Sequence, residues 1–200
     1  MLYLLILPLL FALLLLLTRK HIFSTLVTVS AGLIALTNYT APAAVLIACA
    51  LFVSAVGDYF MAHRSGNDHV YVLGIGGFFV GHVLFIASSI IRLEFNAMAL
   101  VVGLLLFGLY AAFLILHILP KIPETLKIPG IAYTLISVLG FTFALMTADI
   151  RYALAIALLL FSDTMIAEAD FVGNRRANLV VLPTYYLCHV LAATSAILMK

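Results

Sequence analysis

The chain is divided into long apolar runs by polar breaks that are each only a few residues long. A run of about 20 mostly apolar residues suits a membrane-spanning helix, which satisfies its backbone hydrogen bonds internally. Charged and proline-containing breaks delimit eight such runs, at residues 2–17, 22–37, 42–62, 70–91, 97–119, 128–147, 152–169 and 179–199. We therefore predict an all-α, polytopic membrane protein, a bundle of eight transmembrane helices in one domain spanning residues 1–200.

Composition excludes several other classes of protein. The chain is 66% hydrophobic and 9% charged, whereas about a quarter of the residues of soluble proteins are charged. A net charge of +2, with dispersed basic residues, argues against a nucleic-acid partner. Cys49 and Cys188 lie within apolar runs, which predicts packing residues rather than a disulfide framework. The basic residues follow the first apolar run, so we interpret it as a retained helix, not a signal peptide.

The basic residues are distributed unequally between alternate loops. Seven fall on one side of the predicted bundle: Arg19, Lys20, Arg64, Lys121, Lys127, Arg175 and Arg176. Three fall on the other: Arg92, Arg151 and Lys200. The positive-inside rule makes the first side cytoplasmic and places both termini on the opposite side. We expect a multi-pass protein of a bacterial plasma membrane.

Two aspartates interrupt the apolar runs, Asp58 in the third and Asp163 in the seventh. A charged side chain in a bilayer costs about 2.5–3.5 kcal/mol on insertion scales, so such residues are commonly functional. Both lie near the predicted cytoplasmic ends of their helices and should face one cavity open to that side. Histidines follow in the next helices, His82 after 24 residues and His189 after 26. Helices one to four are therefore predicted to repeat as helices five to eight.

Each of these residues also has a purely structural interpretation. Asp58 could pair with His63 or Arg64 at the membrane interface. Asp163 could make a buried structural hydrogen bond, and His82 could be a core histidine with satisfied hydrogen bonds.

Neighbouring polar side chains could assist the two acids. Ser162 and Thr164 flank Asp163 and offer hydroxyl groups, although bonding to its own helix is the expected role of Thr164. Tyr185 lies one turn before His189, so it either supports the site or anchors the helix at the interface.

Four short motifs occur in order along the chain: GDYFMA from Gly57, GGFFVGHVLF from Gly76, FSDTMIA from Phe161 and PTYYLCH from Pro183. Together they resemble the YhhN family of multi-pass membrane proteins, whose characterised members are lysoplasmalogenases. The resemblance spans nearly the whole chain. It implies hydrolysis of the sn-1 vinyl ether bond of a lysoplasmalogen, which releases a fatty aldehyde and glycerophosphoethanolamine or glycerophosphocholine. We expect no cofactor and no metal, with a lysophospholipid in the bilayer as the substrate.

The resemblance also assigns residues to the site. Asp58 and Asp163 match the two intramembrane acids of the family, and His82 matches the histidine of its Phe-x-x-x-His stretch. The tyrosine pair that includes Tyr185 also matches. At His189 the chain departs from the family pattern, in which glutamine is more usual.

Vinyl ethers hydrolyse by protonation of an alkene carbon, followed by capture of the oxocarbenium ion by water. Two carboxyl groups can divide this work between an acid and a base. We expect Asp163 to be the proton donor and Asp58 the base that directs water, although the roles could be reversed. The expected substrate-binding residues are His82, Ser162, Tyr185 and His189. Three cations could meet the phosphate or merely obey the positive-inside rule: Arg64, Arg175 and Arg176.

Two other functions fit the same residues. A metal-dependent intramembrane lipid amidase would use oxygen and nitrogen ligands from four helices, namely Asp58, His82, Asp163 and His189. A small transporter or proton-coupled carrier would also use paired intramembrane acids and a repeated architecture.

Overall fold

The computed structural model describes residues 2–18 and 20–199, and within these ranges it contains helices and turns but no strand. A short 3-10 turn, Leu2–Leu5, precedes the first helix. The α-helices are α1 Ile6–Thr18, α2 Ile22–Leu36, α3 Pro42–Ala62, α4 Asp68–Ile91, α5 Ala97–Phe113, α6 Glu124–Leu145, α7 Ile150–Ala167 and α8 Asn178–Leu198. The predicted all-α class is confirmed.

Six of these helices are long and apolar enough to cross a membrane, which indicates a multi-pass membrane protein. They are Pro42–Ala62, Asp68–Ile91, Ala97–Lys121, Glu124–Leu145, Ile150–Val172 and Asn178–Leu198. The first two helices are apolar but shorter. The 15 residues of α2 rise about 22 Å, less than the ~30 Å of a typical hydrocarbon core. Eight complete spans therefore remain a prediction.

Helices α5 and α7 continue beyond their α-helical parts. A π-helical turn, Leu114–Ile118, and a 3-10 turn, Leu119–Lys121, extend α5. A second π-helical turn, Glu168–Val172, extends α7. Helices α5 and α6 are separate, as predicted, but Pro120 lies within the 3-10 turn, and α6 begins at Glu124 rather than at residue 128 and includes Pro129. The extended backbone of Pro123, with ψ of 145°, makes the break instead.

Side-chain caps fix the starts of three helices. Asn67 accepts hydrogen bonds from the amides of the first turn of α4, and Asn96 does the same for α5. Asp149 accepts from the amides of Arg151 and Tyr152 at the start of α7. Each cap satisfies amide groups that a helix start leaves free, so the loops enter the helices at fixed positions.

One end of the bundle, here called the Arg64 end, joins the ends of α3 and α7. There the guanidinium of Arg64, which follows α3, lies 2.8 Å from a carboxylate oxygen of Asp170 in the π turn of α7. At the same end Thr125 of α6 donates a 2.6 Å hydrogen bond to Asp68 of α4. The two aspartate-bearing helices, α3 and α7, therefore run in the same direction, and both acids lie toward the Arg64 end.

The opposite end, here called the Arg92 end, joins α4, α7 and α8. The guanidinium of Arg92 lies 3.6 Å from Asp149, which precedes α7. Asn38, just after α2, donates hydrogen bonds of 2.9 and 3.0 Å to the carbonyls of Ala196 and Met199. Arg92 also donates a 3.3 Å hydrogen bond to Ser195 of α8, so the ends of the even-numbered helices α2, α4 and α8 lie together.

Positive charge is concentrated at the Arg64 end. Six cations of the described ranges lie in or next to helix ends there: Lys20, Arg64, Lys121, Lys127, Arg175 and Arg176. Arg92 and Arg151 lie at the other end. Arg19 and Lys200 also entered the count that predicted the orientation, but they lie outside the described residues. The side of the membrane that each end faces stays a prediction.

Glycines allow α3 and α4 to approach each other closely. The spacing of Gly77 and Gly81 predicts such an approach, and the structure confirms it. A Cβ added at Gly77 would lie 2.9 Å from the backbone nitrogen of Gly57, and one at Gly81 would lie 2.7 Å from the hydroxyl of Ser54. Because Gly57 precedes Asp58, this contact also fixes the position of the first acid.

We expect Gly77→Ala to destabilise the protein by about 1–3 kcal/mol, since backbone atoms cannot move aside as a side chain can. The matched control is Gly76→Ala, because Gly76 is exposed and its added Cβ would meet no heavy atom within 4 Å. Alanine there should be neutral or stabilising by up to about 1 kcal/mol. Thermal unfolding in detergent measures both. Equal melting temperatures would show that α3 separates from α4 at little cost.

The buried cysteine of α8 behaves as predicted, but the other cysteine does not. Cys188 is buried and its Sγ lies 2.9 Å from the carbonyl oxygen of Tyr185. Cys49 is exposed on the outer face of α3, so its interpretation as a packing residue was wrong. Periodicity alone does not distinguish a lipid-facing position from a core position in an apolar helix.

Candidate functional site

Two neighbouring cavities lie at the Arg64 end of the bundle. The first, here called the wide cavity, has a volume of about 770 Å³ and lies between α1, α2, α3 and α8. The second, here called the narrow cavity, has a volume of about 70 Å³ and lies between α4, α5, α6 and α7. Asp58 lines the wide cavity and Asp163 lines the narrow cavity.

Asp58 lies in the last turn but one of α3, where it is 6% exposed. The hydroxyl of Thr28, from α2, donates a 2.5 Å hydrogen bond to its Oδ2 atom. His63 and Arg64 bond elsewhere, to the carbonyl of Tyr59 and to Asp170. The interfacial interpretation of Asp58 is therefore wrong, because the carboxyl group faces the interior of the bundle.

Asp163 lies one turn before the end of α7 and is partly buried. The hydroxyl of Tyr133, from α6, donates a 2.6 Å hydrogen bond to its Oδ2 atom. Among the described residues, none donates to its other oxygen. The predicted structural hydrogen bond thus exists, but it occupies only one of the two oxygens of a carboxyl group that lines a cavity.

The two acids line two adjacent cavities, so the prediction of a single cavity was wrong. Three side chains, Met61, Phe78 and Ile166, belong to the walls of both cavities. They come from α3, α4 and α7. The two acids therefore lie on either side of a thin apolar wall, not at opposite faces of the bundle.

The histidines pack around the site but line neither of the two cavities. His82 is 1% exposed, and its Nδ1 lies 3.0 Å from the carbonyl oxygen of Phe78. Its Nε2 is buried and has no hydrogen-bond partner among the described residues. The ring stands edge-on to that of Tyr133, with centroids 5.2 Å apart. His82 is thus a neighbour of the tyrosine that holds Asp163.

His189 repeats this arrangement in α8. Its Nδ1 lies 2.6 Å from the carbonyl oxygen of Tyr185, and the two rings are 4.2 Å apart. Tyr185 lines the wide cavity together with Asp58, and its buried hydroxyl lies near that carboxyl group without making a hydrogen bond of good geometry to a described residue. An unpaired buried hydroxyl group is costly unless something else bonds to it. Asp58 is the neighbouring group available to this hydroxyl, so Tyr185 belongs with that acid in the wall of the wide cavity.

The two hydroxyl residues beside Asp163 point away from the site. Ser162 is fully buried and donates to the carbonyl of Val181 in α8. It reaches neither cavity, because adjacent residues of a helix point in different directions. Thr164 donates to the carbonyl of Leu160, as predicted, and its oxygen lies 2.6 Å from the hydroxyl of Tyr110.

Of the three candidate phosphate-binding cations, one lines the wide cavity. Arg64 does so while its guanidinium pairs with Asp170. Arg175 and Arg176 are exposed in the loop before α8 and line neither cavity. The structure therefore associates Arg64 alone with the cavity of Asp58.

The proposed metal ligands do not converge. Within the described ranges, no three residues of the types His, Cys, Asp and Glu are grouped closely enough to hold a metal ion. The four ligands of the amidase alternative, Asp58, His82, Asp163 and His189, are therefore not a preformed metal site.

Thr28 and Tyr133 are the site residues that the sequence interpretation missed. Each donates to an aspartate 30 residues further along the chain. In each half of the chain the donor lies in the second helix and the aspartate in the third. This equivalence matches the predicted repeat, as do the two histidines that bond to a carbonyl one turn back. Comparing the two halves at that fixed spacing could have found both donors.

Comparison with known proteins gives one result. No curated protein and no solved structure matches the chain. A family model described as the YhhN family matches residues 3–196, which includes every residue of the two cavities. The chain therefore belongs to the YhhN family.

Proposed function

We propose that this protein hydrolyses the vinyl ether bond of lysoplasmalogens, releasing a fatty aldehyde and glycerophosphoethanolamine or glycerophosphocholine. The observation that carries the proposal is the pair of carboxyl groups, Asp58 and Asp163, on either side of one thin wall in a membrane-embedded bundle. Membership of the YhhN family is consistent with a hydrolase.

The chemistry requires an acid, a base and water. A proton adds to the alkene carbon farther from the ether oxygen, and the carbon bonded to oxygen becomes an oxocarbenium centre. Water adds there and loses a proton, giving a hemiacetal. The hemiacetal collapses to an aldehyde and an alcohol, so the net reaction consumes one water molecule.

The two cavities divide these roles. Asp163 lines the narrow cavity, whose wall is mainly apolar, so it is assigned as the proton donor. Asp58 lies in the larger cavity with His21, Arg64 and Tyr185, where water and a polar headgroup fit, so it is assigned as the base. General acid–base groups of this kind contribute about 10²–10⁴-fold to rate.

Thr28 and Tyr133 are proposed as positioning residues. Each gives one short hydrogen bond to a carboxylate oxygen and leaves the other oxygen for the substrate or water. A carboxyl group held in this way keeps a fixed orientation, which a reaction between bound groups requires.

The test is release of aldehyde by purified protein in detergent. We expect turnover of lysoplasmenylethanolamine or lysoplasmenylcholine and none of the corresponding saturated ether lipid, which lacks the alkene. A carrier, the alternative function, requires a sealed membrane and releases no aldehyde in micelles. Absence of aldehyde from all vinyl ether lysolipids, in protein that is monodisperse, would overturn the proposal.

We expect Tyr133→Phe to lower kcat for aldehyde release about tenfold, since it removes one hydrogen bond to a carboxylate. The matched control is Tyr110→Phe, because Tyr110 lines the same cavity but bonds to Thr164 instead. That variant should retain nearly full activity. Equal losses in the two variants would indicate a general effect on the cavity and contradict a positioning role for Tyr133.

A further inference from the structure

A third cavity lies at the Arg92 end of the bundle, far from the two cavities that the acids line. It has a volume of about 650 Å³ and is formed by three loops and the residue that follows α8. The loops join α2 to α3, α4 to α5 and α6 to α7. Pockets that bind small molecules are commonly about 300–1,000 Å³ in volume. The cavity is therefore large enough for a ligand, and the proposed hydrolysis makes no use of it.

Four charged side chains line this cavity: Arg92, Glu94, Asp149 and Arg151. One carboxylate oxygen of Asp149 lies 3.6 Å from the guanidinium of Arg92, and the other lies 3.2 Å from Nε of Arg151. Two arginines therefore share one aspartate, so these three residues together carry one positive charge. Glu94 carries a negative charge and is not part of this group.

Arg151 offers the part of this positive charge that a ligand can reach. Its Nε donates to Asp149, but its two terminal nitrogens make no hydrogen bond to a described residue. Its side chain is 46% exposed, whereas that of Arg92 is 15% exposed and bonds to Ser88 and Ser195. The free edge of a guanidinium matches the paired oxygens of a phosphate group.

Glu94 offers the opposite charge in the same cavity. Its side chain is exposed and makes no hydrogen bond or ion pair with a described residue. Its amide donates a 2.8 Å hydrogen bond to the carbonyl of Met146, which fixes this loop against the end of α6. Arg151 pairs with Asp149 and not with Glu94. A free cation and a free anion that share a cavity without pairing suit a ligand that carries both charges.

The rim of the cavity adjoins the bilayer. Ile91 and Ile150 line the cavity and are 56% and 69% exposed. Ile91 ends one candidate membrane span and Ile150 begins another, so the cavity lies at the level of lipid headgroups. Zwitterionic phospholipids, which join a phosphate to an ammonium group, are the adjacent source of a doubly charged ligand.

We propose that the cavity at the Arg92 end binds a phosphoethanolamine group, with the phosphate on Arg151 and the ammonium on Glu94. A primary ammonium donates hydrogen bonds to a carboxylate, whereas a quaternary ammonium is typically held by aromatic rings. None of the described residues that line the cavity is aromatic. The site therefore prefers ethanolamine to choline. It lies at the end of the bundle opposite Asp58 and Asp163, so it goes beyond the proposed function and does not depend on it.

The test is calorimetric titration of dihexanoylphosphatidylethanolamine into purified protein in maltoside micelles, which contain neither phosphate nor amine. Arg151→Gln and Glu94→Gln should each weaken binding about 10- to 100-fold, because each removes hydrogen bonds between charged groups. Dihexanoylphosphatidylcholine should bind wild type more weakly and lose less affinity in Glu94→Gln, since its nitrogen donates no hydrogen bond.

The matched control is Arg175→Gln, because Arg175 is an exposed arginine at the other end that lines none of the three cavities. It should bind the lipid as wild type does. Arg151 and Glu94 are exposed, so their variants should fold, and thermal unfolding checks this. Unchanged affinity in both folded variants, or no binding by wild type, would overturn the proposal.

Free phosphoethanolamine distinguishes the two sources of the same chemistry. A membrane lipid as the ligand predicts that the dihexanoyl lipid binds about tenfold more tightly than free phosphoethanolamine, since its acyl carbons contact Ile91 and Ile150 at the rim. Equal affinities, both lowered in Arg151→Gln and Glu94→Gln, would support the same site with a soluble phosphoethanolamine compound as its ligand.

Discussion

Replacing Asp163 by asparagine should reduce kcat for aldehyde release about 1,000-fold, while KM changes little, since general acid catalysis contributes about 10²–10⁴-fold. Asparagine has nearly the same shape as aspartate, so the hydrogen bond from Tyr133 can be retained. What is lost is the proton that the alkene carbon must receive. The measurement is steady-state turnover of a vinyl ether lysolipid by purified variant protein.

Replacing Asp58 should also reduce turnover, by about 100-fold or more, but through the water step. The two assignments differ in their pH profiles. A base must be ionised, which produces the acidic limb of a bell-shaped profile, and an acid must be protonated, which produces the alkaline limb. The residual activity of Asp58→Asn should therefore lose the acidic limb, and that of Asp163→Asn the alkaline limb. The opposite pattern would exchange the two roles.

The control for these variants is Asp68→Asn. Asp68 lies at the same end of the bundle, but it is exposed and accepts a hydrogen bond from Thr125 outside both cavities. Its loss should leave turnover within about twofold of wild type, as is usual for exposed residues away from a site. Near-normal activity of both Asp58→Asn and Asp163→Asn would refute two-carboxylate catalysis.

The helices could be predicted from the sequence because the signals are local. A long apolar run ends where charge or proline makes a bilayer or a helix unfavourable, and both can be read without knowing the fold. The placement of Asp58 and Asp163 at one end follows from counting breaks, because each helix reverses direction. The error at α6 arose from treating Pro129 as a boundary, whereas the extended backbone at Pro123 makes the break.

The site itself depends on contacts between helices, which the sequence order does not give. Ser162 is next to Asp163 in the chain but bonds to α8, whereas Tyr133 is 30 residues away and bonds to that acid. The wall between the cavities is made by single side chains from three helices, including Met61 and Phe78. Contacts between these side chains depend on how the helices rotate and pack. The sequence therefore could not show whether the two acids share one cavity or line two.

At the Arg92 end, one arginine ties three helices together. Its guanidinium donates 3.3 Å hydrogen bonds to the hydroxyls of Ser195 in α8 and Ser88 in α4. It lies 4.1 Å from the centre of the Tyr152 ring in α7 and 3.6 Å from Asp149. The side chain of Arg92 is only 15% exposed, so water cannot replace these partners fully. Its removal should loosen α4, α7 and α8 at once.

We expect Arg92→Met to lower the free energy of unfolding by about 2–3 kcal/mol. Breaking a fully buried ion pair costs about 3–5 kcal/mol, and the partial exposure of this pair reduces that figure. The matched control is Arg151→Met, because Arg151 contacts the same carboxylate at 3.2 Å but is 46% exposed. Exposed ion pairs contribute only about 0–1 kcal/mol to the free energy of unfolding. Unfolding by SDS titration in mixed micelles measures both, and equal losses would contradict the prediction.

The carboxyl group of Asp149 in this cluster also makes the stability of the folded protein depend on pH. Burial alone would raise the pKa of Asp149, but hydrogen bonds from Ser195 and Arg151, with the charge of Arg151, together bring it below its usual 3.8. A carboxyl group with a lowered pKa in the folded state stabilises fully above the unfolded pKa, and the stabilisation declines as pH falls toward the folded value. The advantage of wild type over Asp149→Asn should therefore be largest above about pH 4 and shrink below it. Because the other acids are common to both proteins, their titration cancels, and a pH-independent difference would contradict a stabilising role for the charge of Asp149.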